Sequence, residues 1–123
     1  MKDRRRILGQ KGEEMAEAFL EQKGYRIVER NARTKRGEID IIAMDGTSLV
    51  FVEVRTRSSH TFGTAAESIT WRKRQKLREL AMEYLQTTTG YVPSFRFDVI
   101  AIECSNQGAL KEQLQIQHIE QAF

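Results

Sequence analysis

The chain has 123 residues, of which 40% are hydrophobic and 30% charged, so it is large enough for one hydrophobic core and too small for two. No apolar run approaches the roughly 20 residues of a membrane helix, and no hydrophobic segment of a secretory signal follows the basic N-terminus. Composition therefore excludes a membrane protein and a wholly disordered chain, and we expect one cytoplasmic domain over residues 1–123.

Positive charge is concentrated in two basic blocks, although the net charge is only +3. Residues 1–36 carry eleven cations against six anions, and residues 72–78 carry five cations. Residues 103–123 instead hold one lysine against three glutamates. A polyanion such as nucleic acid should therefore bind the two basic blocks and not the C-terminal region, although a basic run is also typical of a solvated helix face.

The hydrophobic pattern predicts a helix, three strands, a second helix and two more strands. Apolar residues near the helical period predict the first helix over residues 5–23, ended by Gly24, and a basic amphipathic helix over residues 70–87. Residues 31–36 are predicted as a basic connector. The strands are expected at residues 25–30, 38–44, 49–56, 95–102 and 114–119. This order favours an α/β fold with a mixed sheet covered by helices on its faces.

The predicted hairpin of the second and third strands brings two acidic residues together. If residue 45 pairs with residue 48, Asp40 stands opposite Glu53, and a turn of residues 45–46 alone would leave them diagonal on one face. Only an odd-residue loop would separate them. Two such carboxylates need a cation, a raised pKa or a bound divalent ion. Mg²⁺ accepts these ligands together with water and phosphate oxygens, whereas a salt bridge to Arg55 is the structural alternative.

Several motifs of the chain, in order and spacing, resemble one known family. They are Gly12-Glu13 on the first helix, then GEID at residues 37–40, FVEVR at 51–55 and RFDVI at 96–100. Over residues 9–123 the chain resembles the YraN-like family of uncharacterised bacterial proteins. That family is similar to the restriction-endonuclease-like, or PD-(D/E)xK, nucleases and akin to archaeal Holliday-junction resolvases. The resemblance implies a restriction-endonuclease-like mixed central sheet flanked by helices.

The resemblance also implies a nuclease site. Asp40 and Glu53 match the motif acids and would hold Mg²⁺ or Mn²⁺, and Glu13 would join them as a helix-borne acid. Arg55 stands where the family usually has lysine. Arginine stays charged and cannot act as a base, but its planar guanidinium can contact the scissile phosphate. Asp98, in another motif, is expected to anchor the sheet by hydrogen bonds instead of joining the site.

The resulting hypothesis is a Mg²⁺- or Mn²⁺-dependent endodeoxyribonuclease that hydrolyses phosphodiester bonds in structured or branched DNA. The two basic blocks would lie on either side of the sheet edge that carries Asp40 and Glu53. One alternative is a non-catalytic nucleic-acid-binding module, with a site made degenerate by Arg55. Another is a scaffold whose basic faces bind an acidic protein. A homodimer is implied only because junction-cutting relatives need two active sites.

The DNA contacts are expected from the basic blocks. At the start of the second helix, Trp71 either stacks on a base or covers the edge of the core. The resemblance places Lys73 at a basic position in the same helix. The residues expected to contact nucleic acid are Arg33, Lys35, Arg36, Arg57, Arg72, Lys73, Arg74 and Lys76.

Overall fold

The computed structural model describes residues 4–57, 69–88, 90–106 and 112–123, and its elements follow the predicted order. The helices are α1 (Arg4–Gln22) and α2 (Trp71–Thr87). The strands are β1 (Arg26–Thr34), β2 (Gly37–Asp45), β3 (Ser48–Arg57), β4 (Ser94–Asn106) and β5 (Glu112–Ile119). In the described part of the chain, no helix is long and apolar enough to cross a membrane.

Strand β1 is longer than predicted and includes most of the segment that was expected to be a connector. Its pairing with β2 shifts register between Ile27 and Glu29, and Asn31 has a left-handed backbone with φ of 51°. Both irregularities interrupt the alternation of side chains along the strand. Backbone pairing, which the hydrophobic pattern does not reveal, therefore extends the strand to Thr34.

The five strands form one mixed sheet in the order β1-β2-β3-β4-β5. Neighbouring strands are antiparallel except β3 and β4, which are parallel. The connection between this parallel pair contains α2, since parallel strands need a crossover. Strand β3 is thus the central strand, so Asp40 and Glu53 lie on interior strands. Their expected position at a sheet edge was wrong, because β4 pairs with the free side of β3.

One helix covers each face of the sheet. On the α1 face the core consists of Ala16, Leu20, Tyr25, Ile41, Ala43, Val50, Val52, Ile100 and Ile102. On the α2 face it consists of Ala32, Ile39, Ile42, Leu49, Phe51, Leu77, Leu80, Ala81 and Phe97. Alternate residues of β3 thus face opposite helices. The architecture is mixed α/β, consistent with the expected restriction-endonuclease-like fold.

The hairpin between β2 and β3 closes through the two-residue loop Gly46 and Thr47, with Asp45 paired to Ser48. Gly46 has a φ of +62°, a left-handed conformation that glycine adopts without steric cost and that tight hairpin turns require. This register is one of those considered from the sequence. It brings Asp40 and Glu53 level with each other at the far end of the hairpin.

Candidate functional site

Asp40 and Glu53 meet where the pairing of β2 and β3 ends. The last paired residues are Ile41 and Val52. Beyond them the backbone N–H of Val54 donates a hydrogen bond to Asp40 Oδ2 (2.9 Å), so a carboxylate replaces a backbone acceptor between the strands. The carboxyl groups of Asp40 and Glu53 are also close enough to interact electrostatically.

Burial controls the charge of this carboxyl pair. Glu53 is only 4% exposed, and its desolvation, followed by repulsion from Asp40, raises the pKa of Glu53 to about 8. Desolvation also raises the pKa of Asp40, although the hydrogen bonds from Val54 and Glu53 oppose this shift. The pair therefore holds a proton more strongly than exposed carboxyl groups do. A divalent cation that binds the pair would displace this proton.

Two cationic side chains reach Glu53 from different elements. Arg55 Nη1 and Lys73 Nζ each lie 3.8 Å from Glu53 Oε2, which is too far for a strong hydrogen bond. Lys73 belongs to the first turn of α2, where the Thr70 hydroxyl caps the helix by accepting a hydrogen bond from Lys73 N–H (3.1 Å). The helix cap thus holds a lysine beside the carboxylate that Arg55 also approaches.

Further acids adjoin Asp40 from the side of α1. Carboxylate oxygens of Glu13, Glu38 and Asp40 all lie within 4.8 Å of one another. Burial, followed by repulsion from Asp40 and Glu38, raises the pKa of Glu13. We call Glu13, Glu38, Asp40 and Glu53 the acidic cluster. The cluster contains the three acids that the resemblance implied, and it adds Glu38.

Asp40 reaches both groups of acids because β2 is irregular at this residue. Ile41 packs toward α1 and Ile42 toward α2, as strand alternation requires. Ile39 also packs toward α2, although strict alternation would place it with Ile41. The break in alternation falls at Asp40, and its side chain therefore lies between Glu53 and Glu13.

Sequence reasoning missed Glu38 and Asn31. Asn31 lies opposite Asp40, since its neighbours on β1 pair with the neighbours of Asp40. With its amide NH₂ turned toward the acids, Asn31 donates hydrogen bonds to Glu13 Oε1 (3.0 Å) and Glu38 Oε1 (2.7 Å). Glu38 could have been found because it stands two residues from Asp40 on one strand. Asn31 could not, because its position depends on a left-handed backbone.

A close approach of α1 to the sheet brings Glu13 to the cluster. A Cβ atom at Gly12 would overlap the Thr56 hydroxyl of β3, so the helix lies as near as it does because residue 12 has no side chain. Arg30 of β1 then joins the helix by ion pairs from Nη1 to Glu17 Oε2 (3.0 Å) and from Nη2 to Glu13 Oε1 (3.9 Å). These contacts fix the position of Glu13 relative to β2.

Apart from Arg57, at the end of β3, the residues that were expected to contact nucleic acid lie on two adjoining surfaces. One includes Arg33, Lys35 and Arg36, around the turn between β1 and β2, and the other is the N-terminal half of α2. They adjoin because Arg36 Nη1 lies 3.8 Å from Glu79 Oε2 of α2. Arg33 is not a free cation, since its Nε donates to Glu38 Oε2 (3.2 Å). Residues 1–3 of the first basic block lie outside the described residues.

The remaining cations differ in exposure. Arg72 is exposed, whereas Arg57, Lys73, Arg74 and Lys76 are half-buried. Trp71 is 73% exposed, so the expectation that it covers the edge of the core was wrong: α2 packs on the sheet through Leu77, Leu80 and Ala81, more than one turn away.

Asp98 lies outside the acidic cluster and anchors the sheet, as predicted. It accepts hydrogen bonds from Arg96 Nε (3.0 Å) and Gln121 N–H (3.1 Å), and it lies 2.7 Å from His118 Nε2. These partners join β4 to β5 and to the C-terminal segment. The structure thus contains two separate acidic regions, as expected from the sequence.

Comparison with known proteins identifies the family. Residues 12–102 match the model of "Uncharacterised protein family UPF0102". A UPF0102 protein of Pelotomaculum thermopropionicum is 46% identical over 123 residues, covering 100% of both chains. One of Moorella thermoacetica is 53% identical over 103 residues, covering 84% of this chain and 86% of the relative. The chain therefore belongs to the UPF0102 family, the YraN-like family that its motifs indicated.

Proposed function

We propose that this protein is a metal-dependent endonuclease that hydrolyses phosphodiester bonds in structured or branched DNA. The observation that carries the proposal is the side-by-side placement of half-buried Asp40 and buried Glu53, with Glu13 and Glu38 beside Asp40. Burying adjacent carboxylates opposes folding. Groups with such perturbed pKa values cluster at functional sites, and a divalent cation would offset their repulsion.

The donor set fits Mg²⁺ or Mn²⁺. The acidic cluster offers only carboxylate oxygens, which are the ligands that these hard cations prefer. Asp40 and Glu53 would hold the ion, and Glu13 would bind it directly or through water. Such an ion, when bound, lowers the pKa of a coordinated water and polarises a phosphoryl oxygen.

The other groups of the site would position the carboxylates and the phosphate. The Val54 N–H fixes the orientation of Asp40 through its hydrogen bond, and Asn31 fixes Glu13 and Glu38. The guanidinium of Arg55 would contact the scissile phosphate. We assign to Lys73 the compact positive charge that the family's lysine provides from β3, because its ammonium reaches the same carboxylate oxygen from α2.

Titration calorimetry with Mn²⁺ tests the metal site. We expect the wild type to bind Mn²⁺ and Asp40→Asn to lose at least tenfold in affinity, since ligands shape affinity through their charge. Asp45→Asn, at the exposed end of the same strand, is the matched control and should bind as the wild type does. Equal binding by Asp40→Asn and the wild type would contradict the proposed ligand.

Cleavage assays test the reaction. With Mn²⁺ present, we expect flapped and four-way DNA to be cut faster than continuous duplex, and Glu13→Gln to slow the reaction. Glu14→Gln, one residue away and exposed, should leave the rate unchanged. Analytical ultracentrifugation on four-way DNA then tests the proposed homodimer, which would supply two sites. Absence of cleavage on every substrate would refute the nuclease.

A second candidate is a non-catalytic nucleic-acid-binding module. It is favoured by the positions of Arg55 and Lys73, both 3.8 Å from Glu53 Oε2, because two cations already neutralise part of the charge that a metal would meet. This candidate predicts salt-dependent DNA binding without an Mn²⁺ site. Cleavage gained by Arg55→Lys and absent from the wild type would establish that the arginine inactivated the site.

A further inference from the structure

Trp71 contributes little to the core although it is the chain's single tryptophan. It is the first residue of α2 and is 73% exposed, whereas a tryptophan in a core or interface buries roughly 150–250 Å². Tyr91 is also highly exposed, at 91%, but it follows the opposite end of the helix. An exposed indole at the N-terminus of α2 is therefore available to a partner.

The helix face that carries Trp71 combines aromatic rings with guanidinium groups. Arg74 and Arg78 follow at the i+3 and i+7 positions, so they share this face. Their guanidinium groups lie 5.8 Å and 5.5 Å from the centre of the Phe123 ring, and that ring stacks on Phe97. We call Trp71, Arg74, Arg78 and Phe123 the aromatic stripe. Aromatic platforms among cations are typical of surfaces that bind single-stranded nucleic acid, since every base can stack and every phosphate is attracted.

The aromatic stripe lies beside the acidic cluster but on the other side of α2. Lys73, two residues after Trp71, points to Glu53. Residues two apart lie about 200° apart around a helix that is roughly 10 Å across. A DNA strand whose phosphate lies at Glu53 must therefore pass the exposed Arg72 and turn around the N-terminus of α2 to reach Trp71. Bases of a continuous duplex remain stacked inside it, so only an unpaired base can follow this path.

We propose that Trp71 stacks on an unpaired base of DNA, next to the phosphate held at the acidic cluster. The preferred substrate is then DNA with unpaired bases beside the cleavage point, such as a flap or an open branch, and not continuous duplex. The inference deepens the proposed nuclease function and rests on it for the position of the phosphate. The stacking contact itself requires neither metal nor cleavage.

Intrinsic fluorescence tests the contact directly, because all tryptophan emission comes from residue 71. The protein is titrated with flapped duplex and with blunt duplex of the same sequence, at 50 mM salt with EDTA, while anisotropy of labelled DNA measures binding. We expect flapped DNA to quench the emission strongly and blunt duplex to quench it weakly. Equal quenching by both DNAs, or binding without quenching, would overturn the inference while leaving the nuclease proposal intact.

Variants separate stacking from general affinity. Trp71→Ala should weaken binding of flapped DNA by about 5- to 150-fold, the usual range for one stacked base, and Trp71→Phe should retain part of the affinity. The salt dependence should not change, because phosphate contacts remain. Tyr91→Ala is the control and should bind flapped DNA normally.

Quenching by flapped DNA without cleavage under any condition would support the stacking contact and refute only the nuclease proposal. Absence of DNA binding would refute both.

Discussion

Asp98 and Glu53 are both buried, at 0% and 4% exposure, yet they are stabilised very differently. Burial alone would raise the pKa of Asp98, but hydrogen bonds from His118, Arg96 and the Gln121 N–H together lower it. Burial and a neighbouring carboxylate raise the pKa of Glu53 to about 8, and its two cations at 3.8 Å do not reverse the shift. The same physical cost of desolvation is thus offset in one region and left largely in place in the other.

The network around Asp98 is complete without any ligand. Lys23 Nζ lies 2.8 Å from His118 Nδ1, and an ammonium can only donate, so Nδ1 accepts and the Nε2–H of His118 donates to Asp98. The positive charge opposite Asp98 is therefore that of Arg96, which also contacts the Tyr25 hydroxyl (2.6 Å). This acid stabilises the fold.

The difference indicates how a structural acid is distinguished from a functional one. A buried carboxylate with several short donors has its charge balanced inside the protein, as at Asp98. In the acidic cluster, burial and a neighbouring carboxylate instead raise the pKa of Glu53, and under the proposed function a bound cation would balance this charge. Neutralising Asp98 should therefore lower the stability of the protein, whereas neutralising Glu53 should raise it at neutral pH.

Asp98→Asn should destabilise the protein by about 3–5 kcal/mol, the usual result of removing one partner of a buried ion pair. Urea unfolding at pH 7 measures the change. Because the pKa of Asp98 is lowered in the folded state, its contribution is present above pH about 4 and is lost as the pH falls through the folded pKa. Wild type and variant should therefore converge in acid.

Asp45→Asn is the matched control for Asp98→Asn. Asp45 also pairs with Arg96 (3.1 Å), but its side chain is 42% exposed, so we expect a loss below about 1 kcal/mol. A similarly small loss for Asp98→Asn would mean that the two acidic regions do not differ in the way proposed.

Glu53→Gln should change the pH dependence of stability. With a pKa raised to about 8, folded Glu53 keeps a proton that the unfolded chain releases near pH 4–5. Wild-type stability should therefore fall as the pH rises from the unfolded pKa of about 4–5 to the folded pKa of about 8. The variant lacks this loss and should gain about 3–4 kcal/mol relative to wild type between pH 5 and pH 8, measured by urea unfolding with EDTA. Stability–pH curves of Glu53→Gln and wild type that run parallel would contradict the raised pKa of Glu53. Glu14→Gln is the control: Glu14 is exposed, so its curve should run parallel to that of the wild type.

Gly12→Ala should destabilise the protein by about 1–3 kcal/mol, the usual cost of overpacking, because the new methyl group overlaps the Thr56 hydroxyl. It should also weaken Mn²⁺ binding, since displacing α1 moves Glu13. Adding Thr56→Ala should restore both properties. Gly9→Ala, on the same helix with nothing within 4 Å of its Cβ, is the control and should be neutral or slightly stabilising. Failure of the double variant to recover would exclude this contact as the cause.

The sequence predicted the fold closely because its signals are local. Apolar periodicity located both helices, and turn residues located the β2–β3 hairpin, whose register brings Asp40 to Glu53. The parallel pairing of β3 with β4 carries no such local signal, and without it Asp40 and Glu53 were expected at a sheet edge. The pairing of strands that are distant in the sequence could thus not be predicted.

Only part of the candidate site could be predicted for the same reason. The hairpin register brought Asp40 and Glu53 together and the family resemblance added Glu13, but the contribution of Asn31 depends on a left-handed residue in an irregular strand. The position of Lys73 depends on where α2 begins relative to β3. No sequence pattern states whether a helix-start lysine points to a sheet or to solvent, so Lys73 was identified as a DNA contact and not as a neighbour of Glu53.

Lys73→Met should have the smallest effect on stability, below about 1 kcal/mol, because its ion pair is 3.8 Å long and its side chain 37% exposed. The substitution should affect the site more than the stability, and it should change metal binding and DNA cleavage in opposite directions. Mn²⁺ should bind several-fold more tightly, since a competing cation leaves Glu53, whereas DNA cleavage should slow because positive charge near the phosphate is lost.

Lys73→Arg should recover part of the cleavage rate, since it keeps the charge but not the compact ammonium. Lys76→Met, one turn further along α2, is the matched control and should leave Mn²⁺ affinity unchanged. Tighter metal binding combined with slower cleavage is a result that a purely structural lysine would not give. If Lys73→Met changes neither Mn²⁺ affinity nor cleavage, the positive charge of the site comes from Arg55 alone. That result would favour the second candidate function, the non-catalytic nucleic-acid-binding module, over the nuclease.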